Sequence, residues 1–476
     1  MMLHEQTRVE HDSIGTLDVP ANAYYGVQTL RAKRNFPMTG QRMHPDMIRN
    51  LALVKKAAAI VNAQAGLLPP HVADAIVKAC DEIAMGKLHD AFIVDPVQGG
   101  AGTSANMNAN EVIANRAIEI LGGSKGEYTL VHPNDHVNMA QSTNDVYPSA
   151  GKLTTIGLLS AAKAAVTSLR DALLEKAKAF DGIVKMGRTQ LQDAVPMRLG
   201  QGFHAYAMAL TRDIGRLETA REGLMTLNMG ATAIGTAVTA SAFYVDHIVP
   251  TLAQVTGLPV RQAEDLFDAT QNLDVLAAAS GAVKTCALSM SKIANDLRLL
   301  SSGPKTGLGE IALPPMQNGS SIMPGKVNPV IPEVVSQAAY RIAGNDVTVS
   351  MCVESGQLEL NAFEPVLFYS LFESLALLKN AAVTFRVNCI EGIIANAERC
   401  EQLVHQSYGI VTALCPVIGY EQAAAMVKGS MRENLPILEY IEKHLGLPKE
   451  KIIKMTDAYT MTEPMHEAEP ARATGN

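Results

Sequence analysis

The sequence predicts a mainly α-helical protein whose middle is a bundle of long helices, and three observations lead there. Leu273, Leu276, Ser280, Val283, Ala287, Met290, Ala294 and Leu297 alternate steps of three and four for more than three heptads, the spacing of one continuous helical face. A second stripe, Ile156, Leu159, Ala162, Val166, Leu169, Leu173, Ala177 and Phe180, keeps helical spacing from Lys152 to Phe180. The composition agrees. Apolar residues make up 47% of the 476, yet there is no Trp and only 10 Phe and 12 Tyr, so the core is built from Ala, Leu, Ile, Val and Met.

Residues 1–141 mix short helical patterns with loops such as "IGTLDVPANAYYG" and "VDPVQGGAGTSANMN", whose Gly, Pro and Asn interrupt regular structure. They read as a first, mixed and mostly helical domain. Residues 142–398 hold the long patterns, with two more from about Met197 to Leu227 and from Glu364 to Glu398, and no run of alternating strands. This is the bundle. Small residues on the Leu273 to Leu297 seam let neighbouring helices approach closely, and the length of the seam suggests packing against partners along its whole face. From 399 to 476 shorter helices form a small C-terminal domain, ending in a tail, "MHEAEPARATGN", that is expected to fray.

Charge and cysteine usage narrow the function. Lys plus Arg total 40 against 47 for Asp plus Glu, with no basic block, which argues against a nucleic-acid or anionic-membrane surface and for a small-molecule partner. The N-terminus lacks the apolar region of a signal peptide and nowhere do about 18 uncharged apolar residues run together, so a cytoplasmic protein is expected. Cys80, Cys286, Cys352, Cys389, Cys400 and Cys415 form no CxxC pair and read as buried free thiols.

Several segments carry candidate chemistry. Gly100, Gly102 and Ala105 meet the loose G-x-G-x-x-A form, but no strand precedes them and Pro96 interrupts the approach, so a dinucleotide site is not expected. The segment offers instead Thr103, Ser104 and Asn106 at a helix start, where N–H groups and hydroxyls favour an anion. His132 and His136 have the spacing of paired metal ligands, but Pro133 and the lack of a nearby third ligand favour a helix start capped by Asn134 or Asp135. "QSTND" reads either as a cap or as part of a site through Ser142, Thr143 and Asn144. "MGRTQLQDAVP" places Thr189, Gln190 and Gln192 in a loop, with Pro196 near the first turn of the next helix. "NGSSIMPGKVNPVIPE" has no period at all, and it alone adds a cation, Lys326, to Ser320, Ser321 and Asn328. Neutral donors with one lysine suit carboxylates, each of which accepts about four hydrogen bonds.

"GSSIMPGKVNP" closely resembles the signature loop of the aspartase/fumarase superfamily, and "GGAGTSANMNANE", "QSTND" and "GRTQLQDAVP" resemble its other regions in the same order. Within it the likeness is to members that deaminate L-aspartate, since fumarases typically have "GTQSNMN", "QSSND" and "GRTHTQDATP"; Gln190 replaces a histidine that some ammonia-lyases also keep. The resemblance implies a three-domain fold and a homotetramer whose long central helices join in one bundle, with the seam from Leu273 to Leu297 buried between subunits and each active site shared between them. It implies Ser320 as the base that removes the C3 proton, giving an aci-carboxylate dianion, with Lys326 as its activating cation. Thr103, Ser142, Thr143 and Ser321 would hold the β-carboxylate, Thr189, Lys326 and Asn328 the α-carboxylate, and Asn144 with Gln190 the amino group. No cofactor and no metal ligand is implied; Mg²⁺ activates some relatives, but no carboxylate cluster here predicts it. The alternatives are a class II fumarate hydratase and a non-catalytic structural homologue such as a lens crystallin.

Overall fold

A computed structural model of the chain describes residues 6–446 and 448–464, so the tail expected to fray lies outside the described residues. The protein opens with a β-hairpin, β1 (Thr7–Asp12) and β2 (Gly15–Pro20), paired antiparallel from Thr7 with Pro20 to Asp12 with Gly15. Asp12 Oδ1 closes its turn by accepting from the N–H of Ile14 and Gly15 at 2.9 and 3.1 Å. Helices follow: α1 (Val27–Asn35), α2 (Pro45–Gln64), α3 (Pro70–Ala84), α4 (Thr103–Ile120) and α5 (Thr143–Ala179). Proline stands at the first position of both α2 and α3, where its missing N–H would have had no partner.

A second hairpin, β3 (Val184–Thr189) and β4 (Gln192–Arg198), leads into α6 (Leu199–Gly223) and α7 (Ala242–Thr256). The short helix α8 (Leu266–Gln271) precedes three long helices, α9 (Asp274–Leu300), α10 (Val330–Glu354) and α11 (Glu364–Asn388). The mainly α prediction is met. Both later helical patterns are shorter than their sequence suggests. After α6, Thr226–Leu227 pairs in parallel with Arg261–Gln262, and after α11, Ile394–Ala395 pairs with Ile311–Ala312.

Two compact units divide the chain, the first comprising Met1–Ala164, Asp213–Ala287 and Ala338–Lys379, the second Ala165–Arg212, Leu288–Gln337 and Asn380–Asn476. In the first, α2 packs on α3 and α7, and α3 on α4. Leu51, Val54 and Ala58 of α2 and Ile76, Ala79 and Ile83 of α3 are at most 1% exposed. The Glu111 carboxylate on α4 accepts from the N–H of Gly26, Gln28 and Thr29 and from the Thr29 hydroxyl, which fixes the start of α1. Burial pushes this carboxyl up to about 7 against those donors. In the second unit, the C-terminal segment has a core of its own built on Ile410, Val411, Leu414, Ile437, Ile441 and Ile452.

The seam on α9 corrects an expectation. Leu273, Leu276, Val283, Ala287, Met290, Ala294 and Leu297 are all within 2% of fully buried in a single chain, so their own chain already covers the face assigned to a partner subunit. The polar members explain the fit: Ser280 Oγ donates to Asp346 Oδ1 at 2.7 Å in the first unit, and Ser291 Oγ to Ser336 Oγ at 3.1 Å in the second, both on α10. Of the cysteines, all six are free and five are buried, as expected; Cys415 is half-buried. The stretch Glu364–Gly392 is long and apolar enough by composition to cross a membrane, and half of its most apolar window is buried inside the protein.

Candidate active site

The polar segments of the first unit meet at the start of α5. Thr103 is exposed and begins α4 after Gly100 and Gly102, whose φ angles of +87° and +90° suit glycine. A Cβ on Gly102 would lie 2.4 Å from the Tyr147 ring, so the turn also needs glycine for space. Ser142 and Asp145 form a reciprocal cap: the Asn144 N–H donates to Ser142 Oγ at 3.2 Å, and the Ser142 N–H to Asp145 Oδ1 at 3.0 Å. "QSTND" is therefore a cap, and the cap carries candidate donors with it. Asn106 Nδ2 donates to Thr143 Oγ1 at 3.1 Å. Asn144 Nδ2 donates to Ala233 O at 2.7 Å, which leaves its carbonyl as the group able to accept from an ammonium.

Sequence reasoning passed over Asp145. Its Oδ2 accepts from the N–H of Gly230 and Thr232, each at 3.1 Å, binding the loop after Leu227 to the helix start. Burial pushes its carboxyl up to about 6, and the three N–H donors oppose the rise. The loop it holds is strained: Thr232, Ala237 and Thr239 all have positive φ. Asp145→Asn should cost about 3 kcal/mol in chemical denaturation, because an amide turns N–H groups toward at least one of these buried donors. Stability equal to wild type would mean that the donors are satisfied without the carboxylate.

The histidine pair is resolved by its caps. His132 Nδ1 accepts from the N–H of Asn134 and Asp135 at 3.2 Å, and His136 Nδ1 from the His132 N–H at 3.0 Å. The capping group is thus His132 itself, a ring nitrogen in place of the expected Asn134 or Asp135, at the head of a π-helical turn, Pro133–Val137. Among the described residues no group of three His, Cys, Asp or Glu side chains is placed to hold a metal ion.

In the second unit "MGRTQLQDAVP" is the β3–β4 hairpin rather than a loop, and Pro196 sits in a strand opposite Met186, not in the first turn of α6. The register shifts between Met186 and Arg188, and at such a bulge the N–H that proline lacks is not missed. Thr189 and Gln192 close the tip around Gln190 and Leu191, at φ of +55° and +63°, the signs of a two-residue type I′ turn. Neither is glycine, so the exposed tip is strained. Buried Glu310 anchors the hairpin through Arg188 at 2.8 Å and Lys185 at 3.1 Å.

The signature loop of this unit folds on itself. The Gly319 N–H donates to Lys326 O at 2.8 Å and Asn328 Nδ2 to Gly319 O at 2.7 Å; a Cβ at Gly319 would lie 2.7 Å from the Asn328 nitrogen. Ser320 Oγ accepts two backbone N–H bonds, from Ile322 at 3.2 Å and Met323 at 2.8 Å. Ser321 and Lys326 are exposed, as are the apolar Ile322 and Val327. The candidates thus fall into three groups. Thr103, Ser142, Thr143 and Asn144 belong to the first unit; Thr189 with Gln190, and Ser320 with Ser321, Lys326 and Asn328, belong to the second, where no hydrogen bond joins hairpin tip to loop among the described residues.

A family model described as "Lyase" matches residues 15–344, and one described as "Fumarase C C-terminus" matches residues 410–463. The chain is 49% identical over 462 residues to an aspartate ammonia-lyase of Bacillus sp, covering 97% of this chain and 99% of that one. A fumarate lyase:delta crystallin from Brucella melitensis, solved bound to cobalt, superposes with a TM-score of 0.94 at 47% identity, over 96% of this chain and 100% of that one. A class II fumarase from Schistosoma mansoni superposes with a TM-score of 0.93 at 34% identity, over 97% and 100%.

Proposed function

The chain belongs to this lyase family, and from that membership we propose that it is an aspartate ammonia-lyase, a carbon–nitrogen lyase that reversibly converts L-aspartate to fumarate and ammonia. The observation that carries the reading is Ser320. Its oxygen accepts two backbone N–H bonds within a loop that also holds Lys326, and such donors favour the alkoxide form a serine needs to act as a base. Ser320 takes the C3 proton; charge moves onto the β-carboxylate, which becomes an aci-carboxylate dianion. Donors that bind the dianion better than the ground state lower the barrier, and Thr103, Ser142, Thr143 and Ser321 are proposed for it. Thr189, Lys326 and Asn328 hold the α-carboxylate, while Asn144 and Gln190 surround an ammonium that leaves already protonated from the opposite face. The reaction in this reading needs no cofactor, and Mg²⁺ is an activator to be tested by adding it to chelated enzyme.

The same reading takes a homotetramer with shared sites, in the cytoplasm, and keeps the three-domain organisation 1–141, 142–398 and 399–476. With the α9 seam already covered, α10 supplies the face for a second copy. Gln337, Tyr340, Gly344, Val347 and Met351 are exposed at steps of three and four, with Tyr340, Val347 and Met351 at 62%, 59% and 65%. The test of the reaction is product identity. Fumarate with ammonium in D₂O should give L-aspartate carrying one deuterium at C3, in the configuration of anti addition. Malate as the main product would hand the chain to the hydratases.

A further inference from the structure

A line of polar side chains, all buried except the half-buried Asn138, reaches Thr143, and none of the steps above uses it. Lys55 on α2 is fully buried, and its Nζ donates to Asn138 Oδ1 at 2.7 Å. The same oxygen accepts from Asn106 Nδ2 and Asn110 Nδ2, both at 3.1 Å. Asn106 Nδ2 is also the donor to Thr143 Oγ1. A hydroxyl that accepts on one side has its proton left to donate on another, so this bond sets which way Thr143 can point.

Among the described residues the ammonium makes no hydrogen bond to a carboxylate. Asp145 is the carboxylate whose attraction favours its charged form. Burial pulls it down to about 7, with the attraction of Asp145 opposing. An ammonium taken out of water toward one neutral acceptor is a poor way to stabilise a core, where a methionine of similar volume would serve better. Among the described residues the Oδ1 atoms of Asn106 and Asn110 are buried without a hydrogen-bond donor.

We propose that Lys55 is a positioning residue of the carboxylate site: through Asn138 and Asn106 it orients the Thr143 hydroxyl as a donor and sets a buried positive charge behind the β-carboxylate, favouring the dianionic intermediate over the ground state. The proposal rests on the aspartate reading above. Its test is Lys55→Met in the full-length enzyme, with two inhibitors. Succinate mimics the ground state; ionised 3-nitro-2-aminopropanoate, a nitronate, has the shape and charge of the aci-carboxylate. The variant should lose about 10²-fold in kcat and in nitronate affinity alike, as when one preorganised donor is removed, with succinate affinity held within about threefold. A merely structural role would weaken both inhibitors together or neither. A folded variant with kcat and nitronate affinity near wild type overturns the proposal. Should Lys55→Met not fold, Asn106→Ala breaks the relay one link nearer the site and is held to the same selective loss. Wild-type protein inert toward aspartate would instead sink the underlying reading, and the proposal with it.

Discussion

Ser320→Ala is expected to lower kcat by about 10²–10⁴-fold, the loss attributed to a positioned general base, and to leave the affinity for succinate close to wild type. The separation follows from what the side chain touches. Among the described residues Ser320 Oγ holds the N–H groups of Ile322 and Met323 alone, both in an exposed part of the loop where water can replace it. The closure of the loop rests elsewhere, on Gly319 with Lys326 and Asn328. Removing the hydroxyl should therefore remove the proposed base without dismantling the loop. Lys326→Ala should differ by harming both kcat and succinate binding, because its one ammonium is proposed both to bind carboxylate and to activate the base. If a folded Ser320→Ala enzyme keeps near-wild-type kcat, Ser320 is not the base, and Ser321 or a lysine-activated water is tested next.

The second large effect is a gain. Thr189→Ala and Ser320→Ala proteins are each expected to be nearly inactive, and mixing them under conditions of subunit exchange should restore activity well above either alone. Thr189 stands at a strained hairpin tip and Ser320 in the signature loop, and no hydrogen bond joins them among the described residues. If each site takes one from each of two copies, a mixed tetramer contains some sites with both residues intact. Mixtures that stay inactive after exchange has been verified would mean that both residues serve a site within one chain, and so would a fully active monomer by light scattering.

The sequence was most readable where chemistry sits in short contiguous segments. The signature loop and "QSTND" announce themselves because each gathers its polar groups within a few residues, and the cap at Ser142 is visible in the same letters as the candidate donors. Helices with long apolar stripes were equally legible, down to the seam on α9. What that seam touches was not, since a periodic apolar face looks the same whether its own α10 or another copy covers it. The β3–β4 hairpin was hidden by Gly187, Pro196 and a two-residue turn without glycine, all of which read as loop. Least legible were contacts made across the chain. Lys55 meets Asn138 over 83 residues and Asp145 meets Gly230 over 85, and no local pattern marks either pair.

Elimination of ammonia from aspartate is tested by the rate of fumarate formation, followed by its absorbance, with L-aspartate and with L-malate as substrates for the same preparation. A site shaped around an ammonium leaves its acceptors unpaired when a hydroxyl takes that place, so kcat/KM for aspartate should exceed that for malate by about 10⁴-fold or more. Equal or faster turnover of malate would contradict it.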